Sequence, residues 1–221
     1  MICIDFCEFL SQQKIKVKKA AEVGVLSYEA SQLKGFFRTG VECHLFEAVP
    51  DFSAQISGAI KNLSNVHLHS FAVSDFNGEM ELCMAGASTF QSSLSVSPAI
   101  NHDGYRKSSA SASLIKVPCR DFADVDPGDF DFLSIDIEGG EFSVLSRMVS
   151  RPIALCLETQ SRDYVNPRLG AITDWMLAEG YSVWFQNDTD TVFIKGQRQS
   201  LGIFEDLKAY FHSLRYFAGR I

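Results

Sequence analysis

The sequence predicts an α/β protein built on a doubly wound sheet, mostly parallel, with an antiparallel hairpin at its carboxyl end. Three observations carry this. Strand-like and helix-like apolar patterns alternate along most of the 221 residues, the signature of repeated βαβ units. Residues 130–137 are mostly apolar or small, as expected of a strand buried on both faces of a parallel sheet. Two late sheet-forming runs, 181–185 and 191–195, flank Asn187, Asp188, Thr189 and Asp190, a turn-forming link between antiparallel strands.

The elements follow in order. Residues 3–13 read as a short helix and 15–25 as a strand, with Val17, Ala21, Val23 and Val25 facing inward. Ala30, Leu33, Phe36 and Phe37 recur at helical spacing, and Gly40 supplies the stop. The strand 41–46 ends at Glu47, and Pro50 opens a helix carrying Phe52, Ile56, Ala59, Ile60 and Leu63 on one face. A third strand spans 66–73. Asp75 to Gly78 then form a hairpin turn into a strand at 79–84.

Residues 85–113 are rich in serine, alanine and glycine and lack any sustained period. A segment of that length inside a compact domain is mobile or functional, and it is read as a substrate-side insertion. Strands return at 115–119, 130–137 and 153–158, with helices at 141–149 and 169–179. The tail 203–217 spaces Phe204, Leu207, Phe211 and Leu214 helically, as a core-packing helix would. The whole is expected to be a single domain, with 1–19 as an extension and 203–217 as a terminal helix.

Composition narrows the function. A net charge of −7 argues against a duplex nucleic-acid partner, which calls for a basic face. No apolar run reaches the roughly 20 residues that span a bilayer, and no leader pattern opens the chain. The six cysteines include no CxxC pair, so they read as reduced thiols in a cytoplasmic setting. Oligomeric state stays open, with the tail as the candidate contact of a homo-oligomer.

The chemistry gathers at the strand ends. Asp136 and Glu138 follow the buried run at 130–135, two residues apart, as on one side of a strand. Buried carboxylates are costly unless paired, hydrated or used, and ligands of open α/β sheets bind at that edge. Glu141 reads as a first-turn helix residue favoured by the dipole. Earlier strands end in Glu22, Val23 and Gly24, in Glu47 and Ala48, and in Ala72, Val73, Ser74 and Asp75. Glu47 lies 23 residues beyond Gly24 (47 − 24), near the spacing at which an acid meets ribose hydroxyls in dinucleotide folds. The first turn nevertheless lacks GxGxxG, and no GxxxxGK[ST] occurs. A phosphate-free nucleoside therefore fits better than a dinucleotide. S-adenosylmethionine is such a ligand, and acidic strand ends suit its cationic groups.

The ordered set Glu22-Val23-Gly24, Phe46 to Pro50, Ala72 to Asp75 and Asp131 to Glu141 resembles the FkbM family of S-adenosylmethionine-dependent methyltransferases. The resemblance spans roughly residues 20–195. It implies the class I methyltransferase sheet, Rossmann-like, and methyl transfer to a hydroxyl of a sugar, glycan or secondary metabolite. By position, Glu22, Val23 and Gly24 would approach the methionine end and Glu47 with Ala48 the ribose. Ala72 and Val73 would flank the adenine, and Asp136 the methyl-bearing end. Two departures stand out. Leu26 and Tyr28 occupy a loop usually richer in glycine or asparagine, and Ser134 stands where a lysine is common.

Methyl transfer to a hydroxyl requires alignment and proton removal. Asp136, Glu138 and Glu158 are the candidate bases, and Mg²⁺ held by their oxygens is the alternative route to an acidified hydroxyl. No residue is assigned as a metal ligand outright. His102, Tyr105 and Ser88, in the serine-rich segment, are the candidate acceptor contacts. His67 and His69 share one strand face and read as edge-strand surface residues. Two other classes are carried: a non-catalytic nucleoside or carbohydrate binding domain with an altered cofactor loop, and a nicotinamide enzyme, against which the missing glycines argue.

Overall fold

The computed structural model describes residues 5–101, 113–161 and 163–196. Helix α1, Phe6–Gln12, opens it, capped by the Asp5 carboxylate on the Glu8 amide. Strand β1 is Lys19–Val23, β2 is Glu42–Phe46, and α2, Pro50–Ile60, starts at the expected proline. The next strands are β3, Val66–His69; β4, Ala72–Ser74; β5, Gly78–Met84; and β6, Phe90–Gln91. Helix α3 is Pro98–Asn101 and β7 is Ser113–Asp121. Strand β8, Phe132–Ile135, leads through α4, Glu141–Leu145, to β9, Ala154–Glu158. The two-residue strands β10, Gln160–Ser161, and β11, Tyr164–Val165, precede α5, Leu169–Ala178. The hairpin β12, Tyr181–Gln186, and β13, Asp190–Lys195, follows.

The main sheet runs β12-β13-β9-β8-β1-β2-β3. Strands β9, β8, β1, β2 and β3 pair in parallel, and β13 runs antiparallel to both β9 and β12. The sequence expectation of a mostly parallel sheet with an antiparallel carboxyl-terminal hairpin holds. Period two divides its side chains between two faces. Ala20, Phe132 and Cys156 pack beneath α1 and the aromatic residues Phe36 and Phe37. Their neighbours Ala21, Leu133 and Leu155 pack beneath α4 and α5 against Val144, Ile172 and Met176.

Four local expectations change. The segment around Ala30 to Phe37 is not an α-helix: only Lys34–Phe36 forms a single 3₁₀ turn. The buried Glu22 carboxylate takes the amides of Gln32 and Leu33, and Gly35 lies so close to α1 that a Cβ would sit 2.4 Å from Asp5 Oδ1. Leu33, Phe36 and Phe37 are buried all the same. On α2, Ala59 is exposed. The long strand 66–73 breaks after His69, and β4 joins a second sheet of order β4-β7-β5-β6. The turn at Asp75 to Gly78 is present, yet β4 and β5 both pair with β7, which lies between them, so it closes no hairpin. The 203–217 helix lies outside the described residues.

The described cysteines, Cys7, Cys43, Cys83, Cys119 and Cys156, are all free, and all but Cys7 are buried. No helix among the described residues is long and apolar enough to cross a membrane.

Candidate active site

Register brings the site together. Val23 pairs with Phe46 on one side and Ile135 on the other, and Ile135 pairs with Leu157. The next residue of each strand is therefore Gly24, Glu47, Asp136 or Glu158, at one level along the sheet's edge. Gly24, at φ +83°, donates its amide to Phe46 O at 3.0 Å, and the Asp136 amide donates to Val23 O at 2.9 Å. A Cβ on Gly24 would meet Asp136 O at 1.8 Å, so glycine is needed both for the backbone angle and for the close approach.

A cavity of about 240 Å³ opens over this edge. Glu22, Val23, Gly24, Glu47, Ala48, Ala72, Val73 and Asp136 all line it, so every residue expected to bind cofactor faces one space. Glu138 lines it too. The second sheet forms the opposite wall through Met80, Leu82, Phe90 and Gln91, with Phe52 and Phe71 beside them. Those residues carried no sequence signal as site residues, because a wall assembled from separate elements has no local motif. Asp75 is exposed and lies outside the lining, whereas its neighbour Ser74 belongs to it. Ser88 does not line the cavity, although Ala87 and Thr89 do. His102 and Tyr105 lie outside the described residues.

The acids have distinct surroundings. Glu22 accepts from the Ser31 hydroxyl and from the amides of Gln32 and Leu33, while burial lifts its pKa to about 7. Glu47 accepts the amides of Val25 at 3.2 Å and Leu26 at 2.9 Å on one oxygen, and that of Val49 at 2.7 Å on the other. It thus ties the first loop to the end of β2. Within that loop Leu26 holds φ 59°, a left-handed conformation that glycine or asparagine adopts more cheaply. This is the physical content of the departure seen in the sequence.

Asp136 and Glu138 do not share a strand face, since β8 ends at Ile135. They converge because Glu138 turns left-handed at φ 60° ahead of Gly139 at φ 109°. Glu141 organises that turn. It is fully buried, and its Oε1 accepts the amides of Ile137 and Gly139, each at 3.0 Å. Its other oxygen accepts from the Asn166 side chain. The first-turn reading of Glu141 captures its position but not its work.

Ligand oxygens of Asp136, Glu138 and Glu158 lie within 4.8 Å of one another. Burial, and then mutual repulsion, push Asp136 and Glu158 well above the ordinary carboxylate range. His67 and His69 sit on β3, the edge strand, as expected. His69 stacks on Phe46 and meets His44 Nδ1 at 3.0 Å, away from the cavity lining.

Among the described residues, the cavity lining contains four carboxylates, Glu22, Glu47, Asp136 and Glu138, and no lysine, arginine or histidine. A pyrophosphate would find no basic partner among these residues, whereas a sulfonium nucleoside with an amino-acid end meets complementary charge and apolar walls. The strand order and this lining fit a class I methyltransferase. The FkbM methyltransferase domain model matches residues 21–183, and the chain belongs to that family: it is an S-adenosylmethionine-dependent methyltransferase. No curated protein matches the chain in sequence.

The chain is also similar, at low identity, to several solved structures. Precorrin-6y C5,15-methyltransferase from Geobacter metallireducens is 14% identical over 86% of this chain and 87% of its own, with a TM-score of 0.44. The Bacillus cereus O-methyltransferase in complex with S-adenosylhomocysteine is 14% identical over 85% and 78%, with a TM-score of 0.40. The Methanococcus jannaschii fibrillarin pre-rRNA processing protein is 10% identical over 82% and 68%, at 0.45. Scores below 0.5 add nothing to the assignment, which rests on the family match.

Proposed function

We propose that this enzyme methylates a hydroxyl oxygen of a polar small molecule, a sugar, a glycan or a secondary metabolite. The observation that carries the reading is the convergence of Asp136 and Glu138, which line the cavity, with Glu158, which does not line it but lies beside them. Hydroxyl acceptors must shed a proton as the new bond forms, and closely placed carboxylates are suited to receive it. Bound S-adenosylmethionine supplies an electrophilic methyl group on a sulfonium.

The protein's own contribution is placement and proton handling. Gly24 leaves room at the junction of β1 and β8, and Glu22, beside Val23, presents acid to the amino-acid end of the ligand. Glu47 and Ala48 lie where ribose hydroxyls would bind, with Glu47 also holding the first loop. Ala72 and Val73 offer the adenine an apolar flank. Asp136 and Glu138 border the cavity, and Glu158 backs them from the neighbouring strand. Three carboxylates so close, one of them buried and two half-buried, repel one another too strongly for all to carry charge unaided. The cluster therefore holds a proton at neutral pH and keeps a basic oxygen beside it, ready for the acceptor's proton. Residues 85–101, which supply Ala87, Thr89, Phe90 and Gln91 to the wall, are placed to shape the acceptor side, and Ser88, His102 and Tyr105 remain candidates for contacts there.

The test has two arms. Calorimetry with S-adenosylhomocysteine is expected to give one saturable site, and its absence would favour a non-catalytic domain on this fold. Incubation with radiolabelled S-adenosylmethionine and a panel of glycans and hydroxylated metabolites is expected to give base-stable methyl ethers. Label appearing only on nitrogen or carboxylate acceptors would overturn the hydroxyl assignment.

A further inference from the structure

The acidic cluster has neighbours that methyl transfer alone leaves unexplained. Glu158 ends β9, is 6% exposed, and its Oε2 has no hydrogen-bond partner among the described residues. A buried carboxylate oxygen without a donor is costly. Tyr164, on β11, is fully buried, and its hydroxyl also lacks a partner. That hydroxyl lies 3.1 Å from where a Cβ on Gly139 would sit, beside Glu138. Two orphaned polar groups, from separate strands, thus border the same cluster. The strongest neighbouring charges on Asp136 and Glu158 among the described residues are all carboxylates.

We propose that Asp136, Glu138 and Glu158 bind a hard divalent cation, and that Tyr164 donates its hydroxyl proton to an oxygen carried on that ion. All three ligands are carboxylate oxygens, the donor type that suits Mg²⁺, Mn²⁺ or Ca²⁺. Opposite ligands stand about 4.2 Å apart around Mg²⁺ and roughly 5 Å apart around Ca²⁺. The three oxygens all lie within 4.8 Å of one another, so a slight inward movement lets one ion take all three. The ion offsets the carboxylate charge and gives Glu158 Oε2 its partner. A water or acceptor oxygen bound to the ion would lose its proton more readily and would accept from Tyr164. The inference shares Asp136, Glu138 and Glu158 with the proposed reaction but does not require that reaction to be correct.

The full chain, stripped with chelator and desalted, is titrated with Mn²⁺ by electron paramagnetic resonance and calorimetry. One Mn²⁺ per chain is expected, displaced by Mg²⁺ or Ca²⁺. Glu158→Gln, with folding checked by circular dichroism, is expected to weaken the ion by roughly tenfold or more. Tyr164→Phe is expected to weaken it less, and Asp75→Asn, exposed and outside the cavity, to leave it unchanged. Absence of saturable Mn²⁺ binding, or equal binding by wild type and Glu158→Gln, would overturn the site. S-adenosylhomocysteine binding is measured on the same samples. If it persists while Mn²⁺ does not bind, the cation site fails and the methyltransferase reading stands.

Discussion

Glu141 Oε1 accepts the amide of Gly139 at 3.0 Å, across the tightest part of the loop that carries Glu138. The same oxygen takes the Ile137 amide at 3.0 Å. One buried carboxylate thereby replaces the hydrogen bonds the backbone lost when β8 ended, and it fixes where Asp136 and Glu138 stand.

Glu141→Gln should therefore loosen the site without touching it. An amide keeps one acceptor oxygen but sets an NH₂ group against either the loop amides or the Asn166 donor. The expected loss is about 2–4 kcal/mol, the range for disrupting a buried charged network. Urea unfolding would measure it, and S-adenosylhomocysteine affinity should fall in parallel. Unchanged stability would show that the loop holds itself.

Gly24→Ala tests the junction of β1 and β8. The added methyl would need the space of Asp136 O, 1.8 Å away, and a backbone angle of φ +83°. Because the obstacle is backbone, the strands must separate. Calorimetry should show cofactor-product binding lost, with the melting temperature lowered. Wild-type binding would mean that the strand ends do not form the cofactor site.

Asp136→Asn should abolish turnover while the fold survives. It replaces a half-buried acid that desolvation and Glu138 hold above its normal pKa, so the neutral isostere introduces no new charge. A radiolabel assay on the acceptor found in the panel, beside a thermal melt, measures both. Near-normal turnover would refute the catalytic assignment.

Glu22 predicts a pH dependence. Its pKa rises from 4.5 unfolded to about 7 folded, so the folded state holds the proton more tightly. The associated stability is full below about pH 4.5 and is lost as pH climbs through about 7. A shift of this size corresponds to about 3 kcal/mol. Wild type should thus lose stability between pH 4.5 and 7 relative to Glu22→Gln, measured as the difference between their urea midpoints. Parallel curves for the two proteins would remove Glu22 as the source.

Legibility followed how local each signal was. The proline opening α2, the alternating order of strands, and the late hairpin are properties of neighbouring residues, and they emerged as expected. The aromatic stripe at Leu33, Phe36 and Phe37 showed burial but not helix, because the Glu22 carboxylate and the contact at Gly35 claim that backbone. Asp136 and Glu138 were found together for the wrong geometric reason: the left-handed turn at Glu138, not strand period, gathers them. The partnership of Glu141 with Asn166, 25 residues on, left no local trace.

By itself the sequence determined the sheet class, the acidic strand ends and the family, because these follow from short-range periodicity and ordered motifs. Tertiary structure alone decided what each acid does. Glu22 and Glu47 are drawn onto loop amides, Glu141 onto the turn that presents Glu138, and Glu158 beside Asp136 through the register of β8 and β9. A carboxylate's role depends on which donors and charges lie within a few ångströms, and those neighbours come from strands far apart in the chain.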